Sequence, residues 1–221
     1  MTLLYRSEEP VTIGLSKGEM ELRKQAHGIQ KMFQTYVPGF ENSYVDRTAY
    51  TPVIGGRYRL MGDYVMTVGD MREGKAFDDA IAISNMPPDL YEVAGRFGYE
   101  ILPYDIPYRA LVSRDIDNLM AAGTTISSGM FANGSLRYCT PTICAGVAAG
   151  TGAALAAKNN VTPRQLDVKL LQKTLRQAGA KVSVNDLSAE VLEPYRFIKS
   201  LNLMFRRTQE EIIPESEIAK Y

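Results

Sequence analysis

The chain has 221 residues, 45% of them apolar, and its 25 lysines and arginines equal its 25 aspartates and glutamates in number. This length and composition predict a globular protein that buries roughly 70% of its unfolded surface. Because the formal net charge is zero, no long-range field draws the chain toward nucleic acid, an anionic membrane or an acidic substrate. We therefore expect neither nucleic-acid binding nor membrane binding.

Cysteine and histidine usage excludes several kinds of site. Cys139 and Cys144 are too few and too close together for a disulfide framework, and His27 is the single histidine. We therefore expect no metal and a reducing, cytoplasmic location. A Ser-His-Asp or Cys-His hydrolase would need His27 as its base, but the apolar spacing places this residue on the polar face of a helix. We also expect no targeting segment and no apolar stretch approaching the ~20 residues that span a bilayer.

In chain order, the first predicted element is a helix that starts with an S-x-x-E capping box at Ser16 and stops before Pro38. Residues 64–67 predict a short strand, and Thr67 caps a short helix after it. Residues 99–112 contain two prolines and alternate apolar with polar side chains, which predicts extended edge strands.

The most informative stretch follows. Residues 118–123 form a short apolar run that ends in glycine and predict a buried strand. Residues 124–139 predict a long polar loop, in which Asn133-Gly134-Ser135 is a turn signal that lets the backbone approach a ligand.

Two helices are predicted next. Thr140 and Pro141 resemble an N-cap and a proline at the first helical position of an alanine- and glycine-rich helix that ends at Lys158. A second helix opens with the cap, proline and glutamine of residues 162–165 and closes at Gly179. This order of elements, a strand, a glycine-containing loop and a helix N-terminus, can present N–H groups to a negatively polarised ligand. An ordinary βα turn would give the same pattern.

Eight short segments follow one another in an order and spacing that resemble a large bacterial family of FAD-dependent oxidoreductases. They are residues 37–42, 59–67, 104–112, 117–123, 126–127, 134–137, 146–154 and 162–168. The five segments from 104 to 154 look like the C-terminal flavin-binding signature of the family. The resemblance implies a Rossmann-like FAD domain with a substrate-binding region inserted into it.

The resemblance implies an α/β fold (α+β mixed) in three parts: a substrate-binding region at 1–112, the C-terminal part of the FAD domain at 113–184 and a helical extension at 185–221. No strand–G-x-G-x-x-G–helix unit is found in the sequence. We therefore expect a second subunit to carry the dinucleotide-binding half, and the two chains together to act on a small-molecule substrate.

The resemblance also implies site residues. Flavin contacts are expected at Gly123, Thr124, Asn133, Gly134, Ser135, Arg137, Thr140, Pro141 and Thr142. Substrate-side roles are expected at Arg59, Tyr108 and Arg109, because a flavin site needs an acid, a base or an anion clamp beside N5. The alternative is structural: the arginines are ion-pair partners and the tyrosine packs in the core.

The sequence also departs from the family pattern. Met130 stands where many relatives have a histidine, Gly55 and Gly56 replace an Arg-Glu pair, and Thr140 and Pro141 are in reversed order. Two further hypotheses therefore stay open. One is a non-catalytic assembly or binding subunit with a decayed flavin site, and the other is a fragment without independent function, against which the well-capped helices argue.

Overall fold

The computed structural model describes residues 11–50, 58–89 and 101–198, and the backbone divides into two compact units, residues 1–54 and 55–221. Gly55, Gly56 and most of the predicted C-terminal extension, from residue 199 onward, lie outside the described residues. The three-part division expected from the sequence stays a prediction.

The first unit is built on one long helix, α1 (Val11–Tyr36). It ends before Pro38, as predicted, but begins five residues earlier than Ser16, so the predicted start was wrong. Glu19, the expected capping residue, instead accepts a hydrogen bond from Arg23 Nε one turn later, at 3.2 Å. An i,i+4 pair of this kind supports a helix interior and not a helix start.

The chain after α1 folds back along the same helix. The ring of Phe40 meets that of Phe33 edge to face, with 5.4 Å between centroids. The Ser43 carbonyl accepts hydrogen bonds from the side-chain amides of Gln30 (3.2 Å) and Gln34 (2.7 Å). Aromatic packing and amide hydrogen bonds thus hold the return segment on α1.

The second unit is helix-rich with one small sheet. Its strands β1 (Ala80–Ser84) and β2 (Tyr104–Pro107) pair antiparallel, with Ser84 opposite Tyr104. Its helices are α2 (Val68–Glu73), α3 (Met130–Leu136), α4 (Cys139–Lys158), α5 (Val168–Gln177) and α6 (Ala189–Leu192). This mixed content is compatible with the predicted α/β class. Thr67 caps α2 through a capping box with Asp70, which confirms that prediction.

Helix α4 packs across β1 through a stripe of small side chains. Its buried residues recur every three or four positions: Pro141, Ala145, Ala148, Gly152 and Ala156. A Cβ built on Gly152 would lie 3.2 Å from Tyr108 Cε2. Tyr108 is held in place because its hydroxyl donates to the Pro163 carbonyl at 2.9 Å. A side chain at position 152 would therefore have to push the Tyr108 ring back by a few tenths of an ångström.

A buried carboxylate attaches the end of the chain to the sheet. Asp105 on β2 is fully buried and accepts hydrogen bonds from Phe77 N (2.9 Å), Ser183 Oγ (2.8 Å) and Val184 N (2.6 Å). Burial raises its pKa, and the three donors oppose that effect by stabilising the anion. This network holds the turn at Val184–Asp186 against β2.

Two predicted strands are absent from the structure. In the expected strand 118–123, Asn118 has φ of 58° and only Met120 forms an isolated bridge, to Val112. In the segment 64–67 only Met66 forms a bridge, to Ser128. In 118–123, Met120 and Ala122 pack against the core and are only partly buried, and in 64–67 Met66 is the buried residue. Apolar residues at such isolated positions give the same sequence pattern as a continuous strand ladder.

The loop and cap predictions around α4 also need correction. Asn133-Gly134-Ser135 lies inside α3, where burial outweighs the low helix propensity of Asn and Gly. The N-cap of α4 is Tyr138, so Thr140 and Pro141 occupy its first turn. The capping box at Thr162 is confirmed, but it opens a short 3₁₀ turn, Pro163–Gln165, and α5 has its own N-cap at Asp167.

By length and composition, α4 is the one described helix that could cross a membrane. It has 20 residues. Its most apolar 18-residue stretch has a mean hydropathy of 1.3, and 28% of that stretch is buried. The expectation that no apolar segment reaches this length is therefore wrong for α4. Core helices of soluble proteins meet the same criterion, and the buried stripe of α4 packs on β1.

The contact between Gly152 and Tyr108 predicts opposite effects for two matched substitutions. We expect Gly152→Leu to lower the free energy of unfolding by about 1–3 kcal/mol, because the new side chain collides with Tyr108. Gly150 lies on the exposed side of α4 with open space around it, so Gly150→Leu should raise stability by roughly 0.5–1 kcal/mol. Urea unfolding followed by circular dichroism measures both. Equal effects would show that α4 does not pack as described.

Candidate flavin site

The predicted flavin loop is a short turn beside α4. Gly123–Thr125 forms a 3₁₀ turn that packs against the helix. Gly123 has φ of +75°, a conformation that favours glycine, and no atom lies within 4 Å of a Cβ built on it. Thr124 is exposed. The turn therefore presents open backbone next to α4.

The N-terminus of α4 is exposed and has no side-chain cap. Tyr138 at the N-cap makes no capping hydrogen bond, and Cys139 and Thr140 are exposed. The Thr142 hydroxyl donates to the Cys139 carbonyl at 2.9 Å. A helix of this length carries about half a positive charge at its N-terminus. Backbone N–H groups and this partial charge are what a negatively polarised ligand needs.

The polar side chains of α3 are used inside the protein. Asn133 Nδ2 donates to the Thr124 carbonyl at 3.0 Å, which ties α3 to the Gly123–Thr125 turn. The Ser135 hydroxyl lies 2.6 Å from the Tyr104 hydroxyl and also donates to the Met86 carbonyl.

Gly134 and Arg137 hold the segment that follows β1. The Gly134 carbonyl accepts from Asp89 N at 3.1 Å, and Arg137 Nη2 donates to the Asp89 carbonyl at 2.7 Å. The structure therefore brings Gly123, Thr124 and Asn133 together, while Gly134, Ser135 and Arg137 face residues 86–89. These hydrogen bonds position the backbone, and the Ser135 hydroxyl, which donates to the Met86 carbonyl, has no further proton to donate to a ligand.

Tyr108 is part of the core. Only 2% of its surface is exposed, its ring packs on Gly152, and burial raises the pKa of its hydroxyl to about 12. A proton-transfer role would require the hydroxyl to leave the Pro163 carbonyl.

Arg109 forms a bidentate ion pair with Asp79, through Nε (2.9 Å) and Nη2 (3.1 Å). Its pKa is raised by the hydrogen bond to that carboxylate. Its guanidinium also stands over the ring of Tyr64, 5.3 Å from the centroid, and half of the side chain is exposed. Arg59 is partly buried. Of the three expected substrate-side residues, Arg109 thus offers the most accessible charge.

The sequence interpretation missed a polar cluster around Asp70. This buried carboxylate accepts from the Tyr64 hydroxyl (2.8 Å), from Lys75 Nζ (2.7 Å) and from Thr67 N (2.9 Å). Lys75 also stands over the ring of Phe77, 4.8 Å from its centroid. Burial raises the pKa of Tyr64, and the bond to Asp70 raises that of Lys75. The capping box at Thr67 was the only sequence signal of this cluster.

Comparison with known proteins now assigns the family. The family model described as FAD dependent oxidoreductase matches residues 3–175 of the chain. The chain belongs to this family. The resemblance found in the sequence is therefore confirmed, and the cofactor of the family is FAD. No curated protein and no solved structure matches the chain.

The described residues fit a flavin through their backbone. The open turn at Gly123 and the uncapped N-terminus of α4, at Cys139 and Thr140, would hold its polar groups. Asn133 would act indirectly, by holding Thr124 in place.

The geometry of Tyr108 gives a direct test of its role. We expect Tyr108→Phe to lower the free energy of unfolding by about 1 kcal/mol, because the buried Pro163 carbonyl loses its donor. Flavin content and the rate of flavin reduction should stay unchanged. Chemical denaturation and stopped-flow absorbance measure the two quantities. A slower reduction at unchanged stability would instead assign Tyr108 to proton transfer.

Proposed function

We propose that this chain is the flavin-contacting and substrate-side subunit of a heteromeric FAD-dependent oxidoreductase. In this proposal, the enzyme transfers a hydride between a small organic substrate and flavin N5. The observation that carries it is the exposed N-terminus of α4 without a side-chain cap, on a helix that packs against the open Gly123 turn, in a chain of the FAD dependent oxidoreductase family. FAD, when bound, supplies the hydride chemistry, and the chain supplies position and charge.

Two observations support a second subunit. Among the described residues, the only sheet is the antiparallel pair β1 and β2. Neither strand leads into a G-x-G-x-x-G loop. The face of α4 away from β1 is apolar and exposed: Ile143 is 65% and Val147 56% exposed, and Gly146, Gly150 and Ala154 are exposed beside them. An apolar face of this kind favours burial against another protein surface. We propose that the dinucleotide-binding subunit covers it.

On the substrate side, we propose that Arg109 is the anion clamp. Its guanidinium is oriented by Asp79 and by the ring of Tyr64, yet half of the side chain stays accessible. An oriented, permanently charged guanidinium suits a carboxylate or similar anionic group on the substrate. Arg59 is proposed to contribute to the substrate side as well, and Tyr108, which is buried, to support this region from the core.

A second candidate function is an assembly subunit without redox activity. It is favoured by Met130, which stands where relatives have a histidine, and by the internal hydrogen bonds of Asn133 and Ser135. Absorbance separates the two hypotheses. A catalytic subunit purified with its partner should be yellow and show the flavin bands, whereas an assembly subunit should be colourless.

We expect the chain expressed alone to bind FAD weakly, because no glycine loop for the pyrophosphate is found in its sequence. Co-expression with a partner that carries a strand–G-x-G-x-x-G–helix unit should restore one FAD per complex. Flavin absorbance against protein concentration measures this ratio. Tight, stoichiometric FAD binding by the isolated chain would refute the two-subunit proposal.

The same complex tests the assembly face with a matched pair of variants. Val147→Asp places a charge on the exposed face of α4 and should abolish co-purification of the partner. Ile116→Asp alters a similarly exposed residue, 58% exposed, outside α4 and should leave the complex intact. Loss of the partner in both variants, or in neither, would argue against the α4 face as the interface.

The charge at the N-terminus of α4 gives a further prediction. Flavin gains negative charge on reduction, so Thr142→Glu should lower its reduction potential or abolish FAD retention. Without a ligand, the same acidic residue would stabilise the helix by about 0.3–1 kcal/mol. Spectroelectrochemical titration with a melting curve separates these effects, and Thr142→Gln is the uncharged control. An unchanged potential at full flavin occupancy would show that α4 does not point at the cofactor.

A further inference from the structure

A groove of about 200 Å³ lies in the second unit, between the end of β1 and the chain beyond α5. Four apolar side chains form most of its wall: Ile83, Pro103, Leu187 and Val191. A dry apolar cavity of about 150 Å³ is large enough for benzene. The groove is open to solvent, since half of Val191 is exposed, and its volume can receive a single substituted ring or a branched chain.

Three polar side chains line the groove: Ser84, whose hydroxyl oxygen accepts a hydrogen bond from Met86 N, and Asn85 and Tyr195, which form a complementary pair. Asn85 Nδ2 donates to the Tyr195 hydroxyl at 2.8 Å. This bond leaves the Asn85 carbonyl oxygen as an acceptor and the Tyr195 hydroxyl hydrogen as a donor. Among the residues that the structure describes, no Lys, Arg, His, Asp or Glu lines the groove. A charged ligand would therefore lose hydration without gaining a counter-charge.

The turn that leads into the outer wall of the groove at Leu187 is tied to β2 and α5. Asp105 binds Ser183 and Val184, and Asp186 forms a bidentate pair with Arg176 at 3.1 Å for both bonds. Leu187 follows this turn directly. A wall that is ordered before binding loses little conformational entropy when a ligand enters.

The groove is separate from the flavin site described above. Leu187, Val191 and Tyr195 lie beyond residue 175, where the match to the family model ends. None of its lining residues belongs to the Gly123 turn or to α4.

We propose that this groove binds a small uncharged molecule with an apolar body and one primary amide group. The apolar body packs on the four apolar side chains. The amide carbonyl accepts from the Tyr195 hydroxyl, and the amide N–H donates to the Asn85 carbonyl oxygen. This binding depends on neither FAD nor the hydride transfer proposed above.

Ligand-observed saturation-transfer NMR on the full chain, purified with its partner, tests the proposal with benzamide as the probe. Benzamide should bind saturably. Benzoate and toluene have the same ring, and each should bind roughly tenfold more weakly than benzamide. Benzoate carries a charge that the groove leaves unpaired, and toluene cannot form the two hydrogen bonds. Equal binding of all three, or no saturable binding of benzamide, would overturn the proposal.

Two variants locate the binding site. Val191→Trp should fill the groove and abolish the benzamide signal, and Tyr195→Phe should weaken binding by roughly 3- to 10-fold through loss of one hydrogen bond. Ile116→Trp, at an exposed position outside the groove, is the control and should bind benzamide normally. FAD content should be the same in all three. Benzamide binding that is unaffected by Tyr195→Phe would place the ligand elsewhere.

Discussion

The second unit depends on the close approach of α4 to the sheet. Small residues along one side of the helix let it lie on β1, and Gly152 admits the ring of Tyr108, whose hydroxyl is bound to Pro163. A larger side chain at this point would move α4 outward. Because α4 also packs against the Gly123–Thr125 turn, the same displacement would alter that contact. Packing at the middle of the helix is therefore coupled to the turn that belongs to the candidate site.

This constraint also decides what the α4 N-terminus can recognise. The side chains that were expected to contact flavin mostly hold backbone segments together: Asn133 fixes Thr124, and Ser135 fixes the chain after β1. What faces outward is the peptide backbone of a glycine turn and of a helix end. Backbone N–H groups and a helix dipole recognise charge and shape and do not depend on particular side chains.

Some elements with local signals were predicted, although the local capping signals at Ser16 and Thr140 were wrong, and features that depend on distant contacts were missed. The caps at Thr67 and Thr162 were found because the hydrogen-bonding residues are three positions apart. The segment 118–123 was assigned to a strand because a short apolar run does not reveal its partner. The family and its cofactor were predicted correctly because they rest on an ordered set of segments. The Asp70 cluster was missed because Lys75 reaches it only in the folded chain.

The departures from the family pattern need not affect flavin binding and catalysis equally, because the backbone and the side chains have different roles in the candidate site. A change such as Met130 lies on α3, whose described polar contacts are internal, and leaves the α4 end and the Gly123 turn as they are. Under the proposed function, flavin binding through the backbone would tolerate that change. Acid-base chemistry would not, since it needs a titratable side chain at a definite position. The proposal therefore looks for the substrate-side residues among accessible, charged side chains outside α3, and among the predicted ones Arg109 meets this requirement.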